Sequence, residues 1–215
     1  ITYGDWSSDV CSSDLGITAA DIAAAADLGY VVKLLAVAEE RDDAVGVRVH
    51  PAMVPLDHPL ASVRGSFNAV FIEGRTVGQL MFLGRGAGGG PTASAVLGDL
   101  IDAAKNLRAG ARGATIGELV ERPIAPVSGT TSRFYVSLDV VDRPGALAAI
   151  AGVFGRHGVS IESMQQEGQG EGARLTCVTH LAREADLRAT IAEIADLDVV
   201  GRVESVLRVV GGEDE

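Results

Sequence analysis

Lysine, cysteine and aromatic side chains are scarce in this sequence. Its 215 residues hold two lysines, Lys33 and Lys105, two cysteines, Cys11 and Cys177, and 4% aromatic residues. Two cysteines exclude a disulfide framework and a cysteine-built zinc site. Basic charge is short as well: 18 Lys and Arg stand against 29 Asp and Glu, for a net charge of -11. That balance excludes a non-specific grip on nucleic acid or an anionic membrane surface, and favours small-molecule or protein partners. No apolar run reaches the roughly 18 residues of a membrane span, and no basic start followed by an apolar core marks an export signal. The expectation is a cytoplasmic protein with no membrane and no nucleic-acid partner.

What is plentiful is apolar residues, at 47%, and glycine, at 27 residues. The length suits one large domain or two ordinary ones. The first fifteen residues, "ITYGDWSSDVCSSDL", carry the only Trp and show neither helical nor strand periodicity. "DWSSDVCSSDL" resembles the translation of a sequencing adapter, so residues 1–15 are read as non-native or disordered and the fold is expected to begin near Gly16.

From Thr18 the pattern becomes ordered. "TAADIAAAADLGY" has Thr18 as N-cap, Asp21 three residues on and Gly29 as its stop, which predicts a helix. "VVKLLAVAEE" and "AVGVRVH" flank the turn signal Asp42-Asp43, the second with Val45, Val47 and Val49 on one face. After the loop "HPAMVPLDHPL" come "FNAVFIEG" and "TVGQLMFLG". Four strands with short connections predict an antiparallel meander.

The stretch "GRGAGGG", Gly84 to Gly90, then packs five glycines into seven residues ahead of a helix with Ala95, Leu97, Leu100, Ile101, Ala104 and Leu107 on one face and Thr92 or Pro91 at its start. Gly84, Gly86 and Gly89 fit the dinucleotide fingerprint G-x-G-x-x-G. That fold also needs a second parallel strand ending in an acid about 20 residues later, and none follows. On spacing alone two readings stay open: a cofactor-contacting turn, or a glycine turn that lets strand and helix pack closely.

Residues 110–132 mix Gly, Pro, Ser, Thr and Arg and read as a linker, in which "TIGELVE" could add a helical turn. Beyond it the order is regular. "FYVSLDVV" alternates as a strand. "DRPGALAAIAGVFGRHG" gives a turn and a helix with Leu147, Ile150, Ala151 and Phe154 at i, i+3, i+4 and i+7. "VSIESMQQEG" and "ARLTCVTHLA" pair around "QGEG", "EADLRATIAEIADL" is a helix, and "VVGRVESVLRVV" closes as a strand. This is βαββαβ, a ferredoxin-like sandwich, so the fold class is α+β. Residues 212–215 are an acidic tail.

Two family resemblances follow from these residues. Asp142, Pro144, Gly145 and Leu147 match the Asp-x-Pro-Gly-x-Leu turn of ACT domains, the small regulatory modules of amino-acid metabolism, with Val159, Ser160 and Ile161 where that family opens its second strand. Upstream, "GYVVKLLAVAEE", "VRVHPAMVPLDHPLASVRGSFNAVFIEG" and "GRGAGGGPTASAVLGDLIDAA" resemble, in order, the later part of the catalytic domain of homoserine dehydrogenase. The resemblance implies an antiparallel-sheet part of a dehydrogenase catalytic domain over 16–109 and an ACT domain over 133–211.

It also implies function. Such enzymes interconvert L-homoserine and L-aspartate 4-semialdehyde with NAD or NADP, in threonine, methionine and isoleucine synthesis. The glycine turn would lie beside the nicotinamide, with Gly84, Gly86, Ala87, Gly88 and Thr92 as cofactor contacts. Asp142, Pro144, Gly145, Ala146, Leu147, Ser160 and Ile161 would bind an amino-acid effector, L-threonine being the first candidate, often at an interface with a second copy. A homo-oligomer, dimer or tetramer, is expected. The family's Rossmann domain and catalytic lysine lie upstream of the equivalent of Gly16, so no catalytic residue is assigned here and the chain alone is expected to be inactive. The alternative is a stand-alone ACT-type amino-acid-binding and dimerisation protein.

The remaining polar residues carry plainer expectations. His50 and His58 each precede Pro and read as surface-loop residues, and two histidines without a third ligand assign no metal. Lys33 and Lys105 read as solvated or snorkelling. Asp99 and Asp102 read as a solvated helix face, His157 as a partner for a helix C-terminus, and Cys177 as core.

Overall fold

Thr18 and Asp21 start the first helix with a reciprocal cap. The Thr18 N–H donates to Asp21 Oδ2 at 2.8 Å, and the Asp21 N–H donates to Thr18 Oγ1 at 3.2 Å. The computed structural model describes residues 16–41, 43–111, 120–168 and 172–211. The expected foreign segment 1–15, Asp42 of the first turn, most of "TIGELVE", residues 169–171 of "QGEG" and the acidic tail lie outside the described residues.

Helix α1, Ala19–Asp27, leads into the long hairpin of β1, Tyr30–Arg41, and β2, Ala44–Pro55, paired antiparallel from Tyr30↔Pro55 to Arg41↔Ala44. A short 3-10 helix, Pro59–Ser62, then lifts the chain onto one face of that hairpin. There β3, Phe67–Gly74, and β4, Gly78–Arg85, form a second antiparallel hairpin. The expected four-stranded meander is thus corrected to two hairpins that stack rather than pair. Leu35, Ala52, Val54, Leu60, Val63, Ala69 and Phe71 make the apolar layer between them. Helix α2, Gly89–Ala109, follows β4.

The second half builds the sandwich: β5, Thr131–Val140; α3, Ala146–Arg156; β6, Ile161–Glu167; β7, Ala173–Thr179; a two-residue β8, Ala182–Arg183; α4, Glu184–Ala195; and β9, Val200–Val209. The βαββαβ order is as expected, with β8 as an addition that pairs with the start of β5. Strand β5 is central, so Phe134 to Leu138 are all buried. One face of the sheet meets α3 and α4 through Phe134, Val136, Leu138, Ile150, Val153, Phe154, Leu187 and Ile194. The other meets α1: Ile17 and Ala25 pack with Met53, Tyr135, Val178, Leu207 and Val209. The helix-covered face of the ferredoxin-like sandwich is thus made by α3 and α4, and α1 adds a cover on the opposite face.

The two halves share one sheet, ordered β1-β2-β9-β5-β7-β6. Their junction is a short parallel pairing of β2 with β9, Ala52↔Arg208 and Met53↔Val209, extended by the Val210 N–H donating to the Met53 carbonyl at 2.8 Å. Two face assignments shift. Val47 and Val49 are 44% and 70% exposed, and the inward face of β2 is instead Gly46, His50, Ala52 and Val54. In α3 the buried stripe is Ala146, Ile150, Val153 and Phe154, while Leu147 and Ala151 are exposed. Residues 123–125 of the expected linker lie along β2, where the Val45 N–H donates to the Pro123 carbonyl at 2.9 Å and the Ala125 N–H to the Val45 carbonyl at 3.0 Å.

Candidate functional site

The glycine turn is built from β4 and the start of α2. The Gly86 N–H donates to the Ser66 carbonyl at 2.8 Å, which folds the strand end back over the β3 entry. A Cβ on Gly86 would lie 1.7 Å from Asn68 Nδ2 and 2.5 Å from its Cγ, so glycine here makes room for the Asn68 amide. Gly88 has φ +127°, a conformation open to glycine and strained for other residues, and it is the N-cap of α2. The helix starts at Gly89, earlier than Thr92 or Pro91, because Gly88 turns the chain; the Thr92 N–H already donates to the Gly88 carbonyl at 3.0 Å. No side chain caps α2. Gly84, Gly86, Ala87, Gly88 and Thr92 are all exposed, and the turn brings them together around the helix N-terminus.

The second predicted turn repeats this geometry. Gly145, at φ +92°, is the N-cap of α3, again without a side-chain cap. The Ala146 N–H donates to the Arg143 carbonyl at 3.1 Å and the Ala149 N–H to the Gly145 carbonyl at 2.9 Å. Arg143 pairs with Asp198 at 2.5 Å. Asp142, Pro144, Gly145 and Leu147 are exposed and Ala146 is buried. Ser160 and Ile161 stand elsewhere. Ile161 begins β6 and pairs with Thr179, and just before it the Ser160 hydroxyl lies 3.2 Å from His180 Nδ1. The turn instead follows Val140, which pairs with Ala173 at the far end of β5. From Tyr135, opposite Val178, to Val140 is five residue steps, or about 17 Å of strand. One copy of the chain therefore does not bring the two groups of residues together.

The comparisons with known proteins follow the same division. Residues 7–101 match the family model of homoserine dehydrogenase, and residues 134–199 that of the ACT domain. The chain carries a homoserine dehydrogenase family domain followed by an ACT domain. It is similar to the homoserine dehydrogenase of Mycobacterium tuberculosis, 47% identical over 206 residues that cover 91% of this chain and 47% of the relative. The Corynebacterium glutamicum homoserine dehydrogenase is 45% identical over 203 residues, covering 92% of this chain and 46% of the relative. The crystal structure of a homoserine dehydrogenase from Thiobacillus denitrificans superposes with a TM-score of 0.81 at 33% identity, over 90% of this chain and 45% of that one. The chain thus spans about half the length of the curated relatives it matches.

Within the homoserine dehydrogenase family domain, three polar residues depart from expectation. Lys33 is 4% exposed and donates from Nζ to the Val63 carbonyl at 2.6 Å; it is a buried tie between β1 and the loop, and not a solvated or snorkelling residue. His50 is on β2 and buried, since β2 continues through Pro51 to Pro55. Pro51 is tolerated there because β2 meets β9 only at Ala52 and Met53, which leaves the edge beside it open. His58 is half-buried: its Nδ1 accepts from the Leu60 N–H at 3.1 Å and its ring meets Phe71 edge-on at 4.8 Å. Neither histidine is the surface-loop residue expected from its His-Pro context. Burial is the leading cause that lowers both imidazoles, His50 to about 4.

Other residues fall as expected. Cys177 is core, and burial pushes its thiol up to about 12, which removes it as a nucleophile. His157 is the C-cap of α3 as expected, but its ring meets the Glu193 carboxylate of α4 at 2.7 Å instead of the helix C-terminus. Asp99 and Asp102 are exposed on α2, the latter 3.2 Å from Lys105. Among the described residues no group of three or more His, Cys, Asp or Glu is placed to hold a metal, and no helix is long and apolar enough to cross a membrane.

Proposed function

We propose that this chain is the part of a homoserine dehydrogenase that sets a glycine turn against the nicotinamide end of NAD or NADP, and that its ACT domain senses an amino acid. The single observation that carries the reading is the repeated turn: Gly88 and Gly145 each start a helix with no side-chain cap and with solvent in front of it. Backbone N–H groups without a side-chain partner suit polar or anionic ligand groups.

The glycine turn fits a flat ring, since Gly84, Gly86 and Gly88 put no Cβ on the surface and Ala87 only a methyl group. These residues with Thr92 would hold the cofactor's reacting end. When bound, that cofactor supplies hydride transfer between L-homoserine and L-aspartate 4-semialdehyde. The chain's own contribution is to position and to exclude water. Lys105 does not stand at this turn: it sits 16 residues into α2, about 24 Å along the helix. On this reading the chain alone does not turn over homoserine, and it takes part in threonine, methionine and isoleucine synthesis within the larger enzyme.

At the ACT turn, Asp142, Pro144, Gly145, Ala146 and Leu147 would receive the effector's carboxylate, and Ser160 and Ile161 would serve the site of a second copy, a reading supported by their distance from the turn. On this reading the enzyme is a homo-oligomer, dimer or tetramer, with L-threonine as first effector. Binding stabilises the fold by mass action, by about 2.7 kcal/mol at a hundredfold excess over Kd. Millimolar L-threonine is expected to raise the melting temperature, and Gly145→Asp to abolish the rise. A melting curve unmoved by threonine, isoleucine, methionine and homoserine removes the effector reading.

A further inference from the structure

An antiparallel hairpin with one face packed and one in water keeps its polar residues on the wet side. The β1–β2 hairpin reverses this. Its inner face, turned to the β3–β4 hairpin, carries Lys33, Glu39, Arg48 and His50 beside the apolar layer. Its outer face carries, in register, Leu34 opposite Pro51, Ala36 opposite Val49 and Ala38 opposite Val47. Helix α1 covers that outer face only at its base, where Val32 and Met53 pack against it. Beyond the helix, Val49 is 70% and Val47 44% exposed, and Ala38 is exposed. At the far end Ile124 bridges to Val45 and stands on the same face, also exposed. Among the described residues of this stretch the single charge on the outer face is Glu40, near the tip, and Arg122 pairs with it.

Charge, shape and position each favour a second copy as the cover. A chain of net charge -11 is repelled by an anionic membrane and by most of the surface of another copy, so two copies approach at least cost through a face whose one charge is paired. In shape, Ala36 and Ala38 on β1 are each level with a larger valine on β2. A two-fold axis parallel to the strands, lying above the face and midway between β1 and β2, sets β1 of each copy over β2 of the other at the same level. Alanine then meets valine in both directions, as an isologous contact requires. In position, β1 ends the seven-stranded sheet, so the second sheet runs on past an open edge and away from the ACT domain.

We propose that the outer face of the β1–β2 hairpin is the contact between two copies of this chain, stacked sheet on sheet about that axis, with Ala36 and Ala38 of one copy facing Val49 and Val47 of the other. The two sheets lie about 10 Å apart. From Leu34 to Arg41 the face is about 23 Å long and two strands wide, at the small end for a specific dimer, and the Kd is of the order of micromolar. The proposal rests on the homo-oligomer of the reading above, and neither the ACT turn nor its effector enters it.

Sedimentation equilibrium of the whole chain across the micromolar range tests it. Val49→Asp puts a carboxylate on this face at an exposed position, Leu147→Asp does the same at the ACT turn and Leu100→Asp on α2, and unchanged melting curves verify that each variant folds. The expected result is a wild-type dimer that weakens about a hundredfold or more in Val49→Asp and within about twofold in the other two. Mixing then checks the stacking: Ala36→Lys and Val49→Asp proteins, each weakly dimeric alone, should associate with each other, because the two introduced charges face one another only across the interface of the mixed dimer. A dimer unmoved by Val49→Asp but lost in Leu147→Asp or Leu100→Asp overturns this face and leaves the homo-oligomer reading in place. A wild type monomeric throughout the range overturns both and gives the face to a different partner. Weakening in Val49→Asp without recovery on mixing overturns the proposed stacking.

Discussion

Helix α3 of the ACT domain buries Ala146, Ile150, Val153 and Phe154, whereas α2, at 21 residues almost twice as long, buries none. Leu97, Leu100, Ile101 and Leu107 of α2 are between 45% and 83% exposed, and Phe82 and Leu83 of the preceding strand are 62% and 52% exposed. Both helices are amphipathic in sequence, so periodicity does not separate them. What separates them is whether the described residues supply an opposing face. The ACT domain does so from its own four-stranded sheet. The apolar side of α2 is not covered by any described residue, and a surface of that kind is a site for contact.

The largest expected effect tests this contrast directly. Phe154→Ala opens a cavity in the ACT core and is expected to cost about 3–5 kcal/mol of unfolding free energy in urea. Leu100→Ala on α2 is expected to stay within about 0.5 kcal/mol in the isolated chain. Comparable losses at the two positions would mean that α2 is covered in solution, by a second copy or otherwise, and sedimentation of the wild type would tell which.

Acid sensitivity comes next, and it belongs to the first half. An imidazole lowered by burial stays neutral in the fold while the unfolded chain takes up a proton. Its contribution is therefore full above pH 6.5 and falls away as the pH drops through His50's value of about 4. The loss is up to about 3 kcal/mol for His50, and His58 acts in the same direction. Glu39 is lowered because Arg48 and Arg41 outweigh the effect of its burial, and Glu193 is lowered by Arg156 and His157. Both carboxylates lose stability only below their ordinary 4.5, which leaves the interval from 6.5 to 4.5 to the histidines. Urea midpoints across that interval should decline in the wild type and flatten in His50→Leu. Parallel declines in both proteins would remove His50 from the account.

These residues also mark where the sequence was legible. The ACT half could be read almost element by element, because a short turn signature, alternation and two helical stripes all point to one topology. The turn before α2 was legible as a glycine cluster, but not which glycine needs its freedom: Gly88 takes the positive φ, while Gly86 answers to Asn68, a neighbour across the β3–β4 hairpin. Alternation in β2 gave two faces correctly and could not say which is inside. That depends on the β3–β4 hairpin folding over His50, Ala52 and Val54, a contact set by the loop between. The β2–β9 pairing joins residues more than 150 apart through two register positions, and no local pattern announces it.

Gly88→Ala and Gly84→Ala make a smaller test within the turn itself. Gly88 lies where a side chain is strained, and alanine there should cost about 1–3 kcal/mol. Gly84 has ordinary strand geometry and open space around its Cβ direction, so alanine should be close to neutral for stability. In a full-length enzyme, a Gly84→Ala protein with unchanged melting but a raised Michaelis constant for the nicotinamide cofactor would support the cofactor contact. Unchanged kinetics for both cofactors would leave Gly84 a strand residue only.

The smallest effect bears on how the two regions are joined. Asp21 of α1 is 3% exposed, and its Oδ1 accepts from the Ser205 hydroxyl of β9 at 2.5 Å, the side-chain hydrogen bond that ties α1 to the ACT sheet. Its other oxygen is held by the Thr18 N–H and hydroxyl, so Ser205→Ala leaves the carboxylate partly satisfied. The expected cost is about 1 kcal/mol. Where that cost appears matters more than its size. If α1 and the ACT sheet unfold as one unit, Ser205→Ala should lower the protection of amides in β5 and β9 and of those in α1 by the same amount in native-state hydrogen exchange. If the helix opens on its own, only α1 amides respond, and the shared sheet with its Met53, Tyr135 and Leu207 contacts holds without it. A fall in β5 protection with none in α1 would contradict both forms of the coupling and return Asp21 to a purely local cap.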